Sequence, residues 1–308
     1  MFSIRQIDRL RAEDIEWLGT KAKFWFTIDD TRYLFKAEER GTGEDWAEKV
    51  VCELARLLGM PHVDYELAHE CEGAAPVRPG VVCPSFSPKP LSLLMGNQLL
   101  VRRDPNYPAA AENKYGVKDY TIEVVSAVVA ALNPPSAEWM LAVPAGVVTA
   151  VDVFAGYLLL DAWTANQDRH HQNWGAIQEA DGTLRLAPTY DHGSALAPHL
   201  LDEERKERLV TKDRNRTVEN FAGKGRSGFY ASAKDEKTML ALDVFRWFAE
   251  RHAVAAKLWL GRLDAIGSDA VDAVLAEIPP ARMSPVTREF TLKLLTINRR
   301  RLLEGYSA

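Results

Sequence analysis

Three polar side chains in the middle of the chain have the types and spacing that magnesium-assisted phosphoryl transfer requires. Asp168 and Asn173 lie five positions apart in a polar loop (166–173), and Asp191 begins an Asp-His-Gly run at 191–193. In such a transfer one carboxylate orients the attacking hydroxyl and takes its proton, while an amide and a second carboxylate hold the metal ions that bridge the phosphates. The alternative is that these residues only cap backbone amides at a helix end. The order of apolar helix, polar loop and short hairpin before Asp191 favours catalysis.

The elements that must position these side chains form two parts. Residues 1–86 contain alternating aromatic and β-branched runs, which predict a hairpin at 24–36 with its turn at Asp29 and Asp30 and further strands at 62–69 and 80–86. A helix is predicted at 43–58, with Thr42 as its cap and Gly59 at its end.

From residue 87 onward the pattern is mainly helical, and a long apolar helix at 147–163 leads into the polar loop. The segment 200–237 mixes charges of both signs and contains several glycines, which is typical of a mobile surface segment. The sequence therefore predicts an α+β fold of two lobes, a small β-rich N-lobe at 1–86 and a larger, mostly helical C-lobe at 87–308.

Bulk composition restricts the class of protein. The apolar fraction of 47% and the charged fraction of 26% are those of a globular chain, and the net charge of −5 argues against direct binding to nucleic acid or to an anionic membrane. Three cysteines without a CxxC pair argue against a disulfide framework. The most apolar window is interrupted by Asp152 and Asp161, which argues against a membrane span. We therefore expect a cytoplasmic protein.

The N-lobe contains a lysine and a glutamate that could bind phosphates. A lysine at the end of a strand usually faces solvent, but Lys36 lies just before the predicted helix, and phosphoryl transfer requires an ammonium group that a helix carboxylate holds in place. Glu48 and Glu53 are the candidates for that carboxylate. Glu48 shares a helix face with Val51 and Ala55, so it should point inward and is preferred.

The motifs in both lobes resemble those of known kinases. DRHHQN at 168–173, followed by DHG at 191–193, is similar to the DRHxxN and DFG-type pair of phosphatidylinositol 3-/4-kinases. The chain resembles more closely the HipA-like bacterial kinases, which share that fold but phosphorylate serine or threonine on proteins. The further segments that carry this resemblance are LFK at 34–36, GEDW at 43–46, MGNQLL at 95–100 and APTYD at 187–191.

The resemblance implies roles for residues in the C-lobe. Asp168 would be the catalytic aspartate, and Asn173 and Asp191 would be the magnesium ligands. His170 would lie near the transferred phosphate, although a structural role is an equal alternative.

The resemblance also implies an ATP site in the N-lobe. Lys36 would contact the phosphates of ATP, and a loop formed by Gly19, Thr20, Lys21 and Lys23 would cover them; Thr20 is a candidate for inhibitory autophosphorylation. The hinge at 82–86 would meet adenine through Cys83, Ser85 and Phe86, or it could be only an edge strand that ends at a proline.

These expectations define the predicted function. The chain is expected to be a serine/threonine protein kinase that requires ATP and Mg²⁺ and autophosphorylates. The alternatives are a phosphoinositide or small-molecule kinase of the same fold and a nucleotide-binding pseudokinase. An antitoxin-like or regulatory partner is left open: full-length HipA toxins contact their DNA-binding antitoxin partly through an additional N-terminal subdomain, for which Lys36 lies too near the start of this chain.

Overall fold

Two β-sheets and a set of helices make up the computed structural model, which describes residues 1–15, 22–39, 41–110 and 114–304. The strands in chain order are β1 (Ile4–Asp8), β2 (Asp14–Ile15), β3 (Lys23–Ile28), β4 (Thr31–Ala37), β5 (Glu66–Glu72), β6 (Ala75–Pro84), β7 (Ser92–Met95), β8 (Gly175–Gln178) and β9 (Leu184–Leu186). The helices are α1 (Glu44–Leu58), α2 (Gly96–Arg103), α3 (Ile122–Val129), α4 (Ala150–Thr164), α5 (Asp202–Val210), α6 (Val218–Ala222), α7 (Ala241–Arg251), α8 (Ala253–Ala265), α9 (Ser268–Ala276) and α10 (Pro285–Glu304).

A six-stranded sheet with the order β1-β5-β6-β4-β3-β2 forms the N-terminal part. The predicted hairpin is confirmed: β3 and β4 are antiparallel, and Asp29 and Asp30 have φ values of 48° and 60°, as a two-residue turn of the primed type requires. Two other expectations need correction. The strand expected at 62–69 begins only at Glu66, and the strand expected at 80–86 begins earlier, because β6 already starts at Ala75 after a tight turn.

Helix α1 begins differently from the prediction. Gly43 is the residue before the helix, in the left-handed region with a φ of 110°, and the Thr42 side chain does not cap it. The buried Thr42 hydroxyl has no hydrogen-bond partner in the described part of the chain. The Glu38 carboxylate instead accepts the backbone N–H of Glu44. The predicted end at Gly59 is confirmed, since its amide donates back to the last turn.

Helix α4 is the central element of the helical part. It is buried on nearly all sides and packs against α7, α8 and α10, which explains its almost continuous apolar sequence. The hydroxyl of Thr149 accepts the Asp152 amide at 3.2 Å, and the Asp152 carboxylate accepts the Thr149 amide at 3.0 Å, so a reciprocal cap fixes its start. Its other end leads directly into the 166–173 loop.

The loop leads into a second sheet, which has the order β7-β8-β9 and whose strand β8 begins at Gly175. Strands β8 and β9 are the predicted hairpin around Asp181 and Gly182. Strand β7, which the sequence did not indicate, ends at the first residue of the MGNQLL segment, and α2 follows it directly. The predicted boundary between residues 86 and 87 falls between the end of β6 and the start of β7, and it stays a prediction.

The segment 200–237 contains more regular secondary structure than its composition indicates. It contains α5 and α6, and Arg205 of α5 is only 3% exposed. The Arg205 guanidinium donates to the Thr287 hydroxyl at 2.7 Å and to the Ala197 carbonyl at 3.1 Å. One charge of the mixed set is therefore turned inward and paired, whereas the expectation that the segment is mobile stays a prediction. In the described ranges, no helix is long and apolar enough to cross a membrane.

Candidate active site

A cavity of about 360 Å³ lies between the six-stranded sheet and the helical part. All predicted site residues that the structure describes line it, namely Lys23, Lys36, Glu48, Cys83, Ser85, Phe86, Asp168, His170, Asn173 and Asp191. Gly19, Thr20 and Lys21 lie outside the described residues. Residues more than a hundred positions apart in the sequence thus contribute to one cavity.

Lys36 joins the two parts of the protein. Its Nζ lies 2.9 Å from Glu48 Oε1 on α1 and 2.9 Å from Asp191 Oδ1 of the Asp-His-Gly run. Burial alone would lower the pKa of Lys36, but the carboxylates of Asp191 and Glu48 raise it well above the ordinary value. The lysine therefore stays charged inside the cavity.

The choice of Glu48 over Glu53 as the partner of Lys36 is confirmed. The Glu53 carboxylate pairs instead with Lys49 of the same helix at 2.5 Å. The second Glu48 oxygen accepts the backbone N–H of His192. Burial raises the pKa of Glu48, and the Lys36 ammonium opposes that shift. Glu48 thus fixes both the lysine and the backbone next to Asp191.

The Asp191 backbone has a strained conformation, with a φ of 60°. Its amide donates to the Tyr65 hydroxyl at 3.3 Å, and the same hydroxyl accepts from Lys36 Nζ at 3.4 Å. Sequence reasoning missed Tyr65, which follows α1 in a stretch without a motif. The tyrosine helps to hold Asp191 against the lysine.

The stretch before Tyr65 is bonded to the segment that precedes Asp191. The amide of Val63 donates to the Thr189 carbonyl at 3.0 Å. His62 nearby is largely buried; burial would lower its pKa, but hydrogen bonds to Asp64 and Cys52 raise it to about 9. The protonated His62 and the Asp64 carboxylate therefore form an ion pair beside α1.

Asp168 and Asn173 face the cavity from the loop after α4. The Asn173 Nδ2 donates to the Asp168 backbone carbonyl at 2.8 Å, which ties the two ends of the loop together. The Asp168 carboxylate accepts two hydroxyls, from Tyr115 at 2.6 Å and from Ser194 at 3.1 Å. Its oxygens thus lie where a hydroxyl can donate to them.

A buried arginine supports this loop, and sequence reasoning missed it. Arg169 is 1% exposed and makes two hydrogen bonds with the Asp161 carboxylate on α4, at 2.7 and 2.8 Å. It also donates to the Asn173 carbonyl at 2.7 Å and to the Thr189 hydroxyl at 3.1 Å. One side chain therefore joins the 166–173 loop to the segment that precedes Asp191. The signal in the sequence was Asp161, an acidic residue inside an otherwise apolar helix.

His170 has contacts that favour a neutral ring. Its Nδ1 accepts the Gln172 backbone N–H at 3.1 Å, so the ring proton resides on Nε2, which lies 3.6 Å from Asp168 Oδ1. Burial lowers the pKa of His170, against the opposing effect of the Asp168 carboxylate. A neutral ring whose acceptor nitrogen is occupied can orient Asp168 but cannot take a proton from a substrate.

The predicted hinge, at residues 82–86, also lines the cavity. Burial raises the pKa of the Cys83 thiol to about 12, so this side chain is a neutral apolar surface. Phe86 stacks on Tyr190 with ring centroids 5.3 Å apart, which forms an aromatic wall. The Ser85 amide donates to the Arg32 carbonyl at 2.7 Å and is therefore engaged within the N-terminal part.

The donor atoms near Asp191 fit a magnesium ion. Asn173 commits its amide nitrogen to the Asp168 carbonyl, which leaves the amide oxygen as its metal-binding atom. Asp191 contributes a carboxylate. Hard oxygen donors of this kind are what Mg²⁺ binds, whereas a thiolate or a set of histidines would indicate a different metal.

Comparisons with known proteins agree with this architecture. No protein-family model matches the chain, and no curated protein matches it in sequence. Among solved structures, the Helicobacter pylori proinflammatory kinase CtkA is similar, with a TM-score of 0.68 and 18% identity over 97% of this chain and 99% of that one. A chain of the toxin–antitoxin complex of HipA, HipB and operator DNA from Shewanella oneidensis MR-1 is also similar, with a TM-score of 0.58 and 13% identity over 94% of this chain and 64% of that one. The predicted two-lobed α+β architecture is confirmed, and the chain has the HipA-like kinase fold.

Proposed function

We propose that the protein is a cytoplasmic kinase that uses ATP and Mg²⁺ to phosphorylate serine or threonine residues of proteins. The observation that carries this proposal is the contact of Lys36 with both Glu48 and Asp191, next to the loop of Asp168 and Asn173. Phosphoryl transfer depends mainly on positioning and on neutralising charge, and this cluster supplies both.

Each residue has a defined task in this reaction. Lys36, held by Glu48, neutralises charge on the phosphates of ATP, while the aromatic wall around Phe86 accommodates the base. Asp168 accepts a hydrogen bond from the acceptor hydroxyl, orients it toward the γ-phosphorus and takes its proton. His170 has its Nε2 3.6 Å from Asp168 Oδ1, so the N–H of its ring faces that carboxylate and helps to orient it. Asn173 and Asp191 would hold Mg²⁺, which would supply positive charge to offset the negative charge that develops on the phosphates during transfer.

The buried Arg169 explains how the two proposed metal ligands are held in fixed positions relative to each other. Arg169 connects the carbonyl of Asn173 with Thr189, two residues before Asp191. The two proposed metal ligands therefore belong to one hydrogen-bonded unit, although seventeen residues separate them in the sequence. A displacement of about 1 Å in such a unit can cost about a hundredfold in rate.

A protein acceptor is favoured over a lipid acceptor by the charge of the chain. The net charge of −5 provides no general attraction to anionic membranes. A pseudokinase is the non-enzymatic alternative. The presence of Lys36, Asp168, Asn173 and Asp191 in one cavity argues against it, because loss of one such group is enough to stop transfer.

The test is transfer of label from [γ-³²P]ATP to proteins of a bacterial lysate and, separately, to phosphoinositide vesicles. We expect label on protein serine or threonine, and none after Asp191→Ala. Asp264→Ala is the matched control, since Asp264 lies on α8 with its side chain 69% exposed. Label only on vesicles would assign a lipid kinase. Magnesium-dependent transfer by Asp191→Ala would refute the metal assignment, and no transfer by the wild type would favour the pseudokinase.

A further inference from the structure

A tyrosine hydroxyl occupies the position that the proposed reaction requires for its acceptor. The Tyr115 hydroxyl donates to Asp168 Oδ1 over 2.6 Å, the usual distance for a hydrogen bond from a hydroxyl to a carboxylate. The edge of its ring packs against His170, with ring centroids 5.3 Å apart at 89°. Tyr115 is 53 residues before Asp168 in the sequence, so the fold brings the two together.

Much of the Tyr115 side chain is nevertheless exposed to solvent. The residue is 61% exposed, and the Lys114 ammonium lies over its ring at 5.1 Å from the centroid. Two other tyrosines near this site, Tyr190 and Tyr120, are buried and donate to backbone carbonyls, Tyr190 to Gln172 at 3.0 Å and Tyr120 to Arg169 at 3.0 Å. Tyr115 instead donates directly to the proposed base.

We propose that Tyr115 is an acceptor of autophosphorylation within the same chain, and that its hydroxyl fills the acceptor position until it is phosphorylated. This inference rests on the proposed function, because Asp168 must act as the base and ATP must bind in the adjacent cavity. It extends that function by adding a tyrosine acceptor that belongs to the enzyme itself.

The step is a simple phosphoryl transfer. The Tyr115 oxygen forms a bond to the γ-phosphorus of ATP, and the bond from that phosphorus to the oxygen bridging the β-phosphate breaks. ADP leaves with the electron pair of that bond, and the phenolic proton passes to Asp168. The products are ADP and a phosphotyrosine at position 115, and no further reactant is required.

The charge of the product then removes it from the site. A phosphotyrosine carries about −1.5 to −2 charges at neutral pH and would face the Asp168 and Asp191 carboxylates. Like charges at this distance repel each other, whereas the exposed side of Tyr115 offers solvent and the Lys114 ammonium. The modified side chain therefore leaves Asp168 accessible to an external hydroxyl.

The experiment incubates the full chain with ATP and Mg²⁺ and follows phosphate at Tyr115 by mass spectrometry. Trypsin cleaves after Lys114 and Lys118, which isolates Tyr115 as the single hydroxyl in its peptide. We expect phosphotyrosine in this peptide, formed with a rate constant that does not change when the protein is diluted. Asp168→Asn should slow its formation by about 100-fold or more, the contribution of a general base.

Matched variants and outcomes decide the inference. Tyr115→Phe should remove the modification, whereas Tyr33→Phe, on β4 and outside the cavity lining, should leave its rate unchanged. Phosphate on Ser194 or elsewhere without phosphate on Tyr115 would overturn the inference while leaving the proposed function intact. A rate that falls with dilution would overturn the intramolecular step. Absence of any transfer, to the chain or to other proteins, would overturn both.

Discussion

Replacing Asp161 with asparagine should both destabilise the protein and slow phosphoryl transfer. Asp161 is the counter-ion of Arg169, and both side chains are almost completely buried. The substitution keeps the shape of the side chain but removes its charge, which leaves the guanidinium in a low-dielectric environment without a compensating carboxylate.

The size of the effect follows from the contacts that are lost. The Asp161 carboxylate accepts from Arg169 at 2.7 and 2.8 Å and from the Asn166 amide at 2.8 Å. A hydrogen bond to a charged group contributes about 1.5–3 kcal/mol, and breaking one side of a buried ion pair costs about 3–5 kcal/mol. Since asparagine can retain part of the hydrogen bonding, we expect the free energy of unfolding to fall by about 3 kcal/mol.

Urea denaturation followed by circular dichroism measures this loss. Glu207→Gln is the control, because Glu207 pairs with Arg216 at 2.6 Å but both side chains are exposed. Such an exposed pair should contribute less than about 1 kcal/mol. The rate of phosphoryl transfer at a temperature where the variant is folded should also fall, because Arg169 orients Asn173 and Thr189.

Two results would refute this reasoning. Equal urea midpoints for Asp161→Asn and Glu207→Gln would show that the buried pair contributes no more than a surface pair. A destabilised variant with an unchanged transfer rate would show that Arg169 supports the fold but does not position the loop.

Three further outcomes follow from other parts of the site. Lys36→Met should lower kcat/KM for ATP by roughly 100-fold or more, since it removes a preorganised charge; steady-state kinetics would contradict this if only KM changed a few-fold. Because the folded pKa of His62, about 9, lies above the unfolded value of about 6.5, its stabilising contribution is complete below pH 6.5 and is lost as the pH rises through 9. Urea midpoints of the wild type should therefore fall over that window, and those of His62→Gln should fall less. In Gly228→Ala the added Cβ would lie 2.8 Å from the Arg169 carbonyl, so the rate of phosphoryl transfer should fall roughly 10- to 100-fold while the affinity for ATP is retained. In the control Gly223→Ala the nearest atoms to the added Cβ are 3.5 Å away. Assays of transfer and of ATP binding should therefore give wild-type values for this control.

The sequence predicted the parts of the site whose signals are local. Strand alternation and a helix start put Lys36 next to α1, and the periodicity of that helix selected Glu48, which contacts Lys36, over Glu53, which pairs with Lys49 of the same helix. Asp168, Asn173 and Asp191 were selected from their spacing and from the order of helix, loop and hairpin, without any tertiary contact. Side-chain geometry set by regular structure is therefore readable from sequence.

The sequence did not reveal the contacts that join distant segments. Tyr65 and Tyr115 act on the site through hydrogen bonds to partners far away in the chain, and Arg169 acts through several hydrogen bonds inside the core. No local pattern distinguishes them from ordinary core or surface residues. The inward position of Arg205 in the segment 200–237 was missed for a related reason: the charge pattern of the segment is that of an exposed surface, whereas the pairing of Arg205 with α10 depends on the completed fold.

The helix cap at α1 is a smaller error of the same origin. Thr42 has the residue type of a cap, but Gly43 in the left-handed region shifts the start of the helix by one residue, and Glu38 from the preceding strand region supplies the acceptor. A nonlocal carboxylate thus replaces a local hydroxyl.

A calorimetric titration of the protein with ATP, in the presence and absence of Mg²⁺, tests the proposed site most directly. We expect one ATP site per chain that binds more tightly with magnesium, and we expect Asp191→Ala to lose this dependence while Asp264→Ala keeps it. Binding that does not respond to magnesium in the wild type, or a magnesium response that survives in Asp191→Ala, would contradict the proposal that Asp191 and Asn173 hold the metal beside the nucleotide.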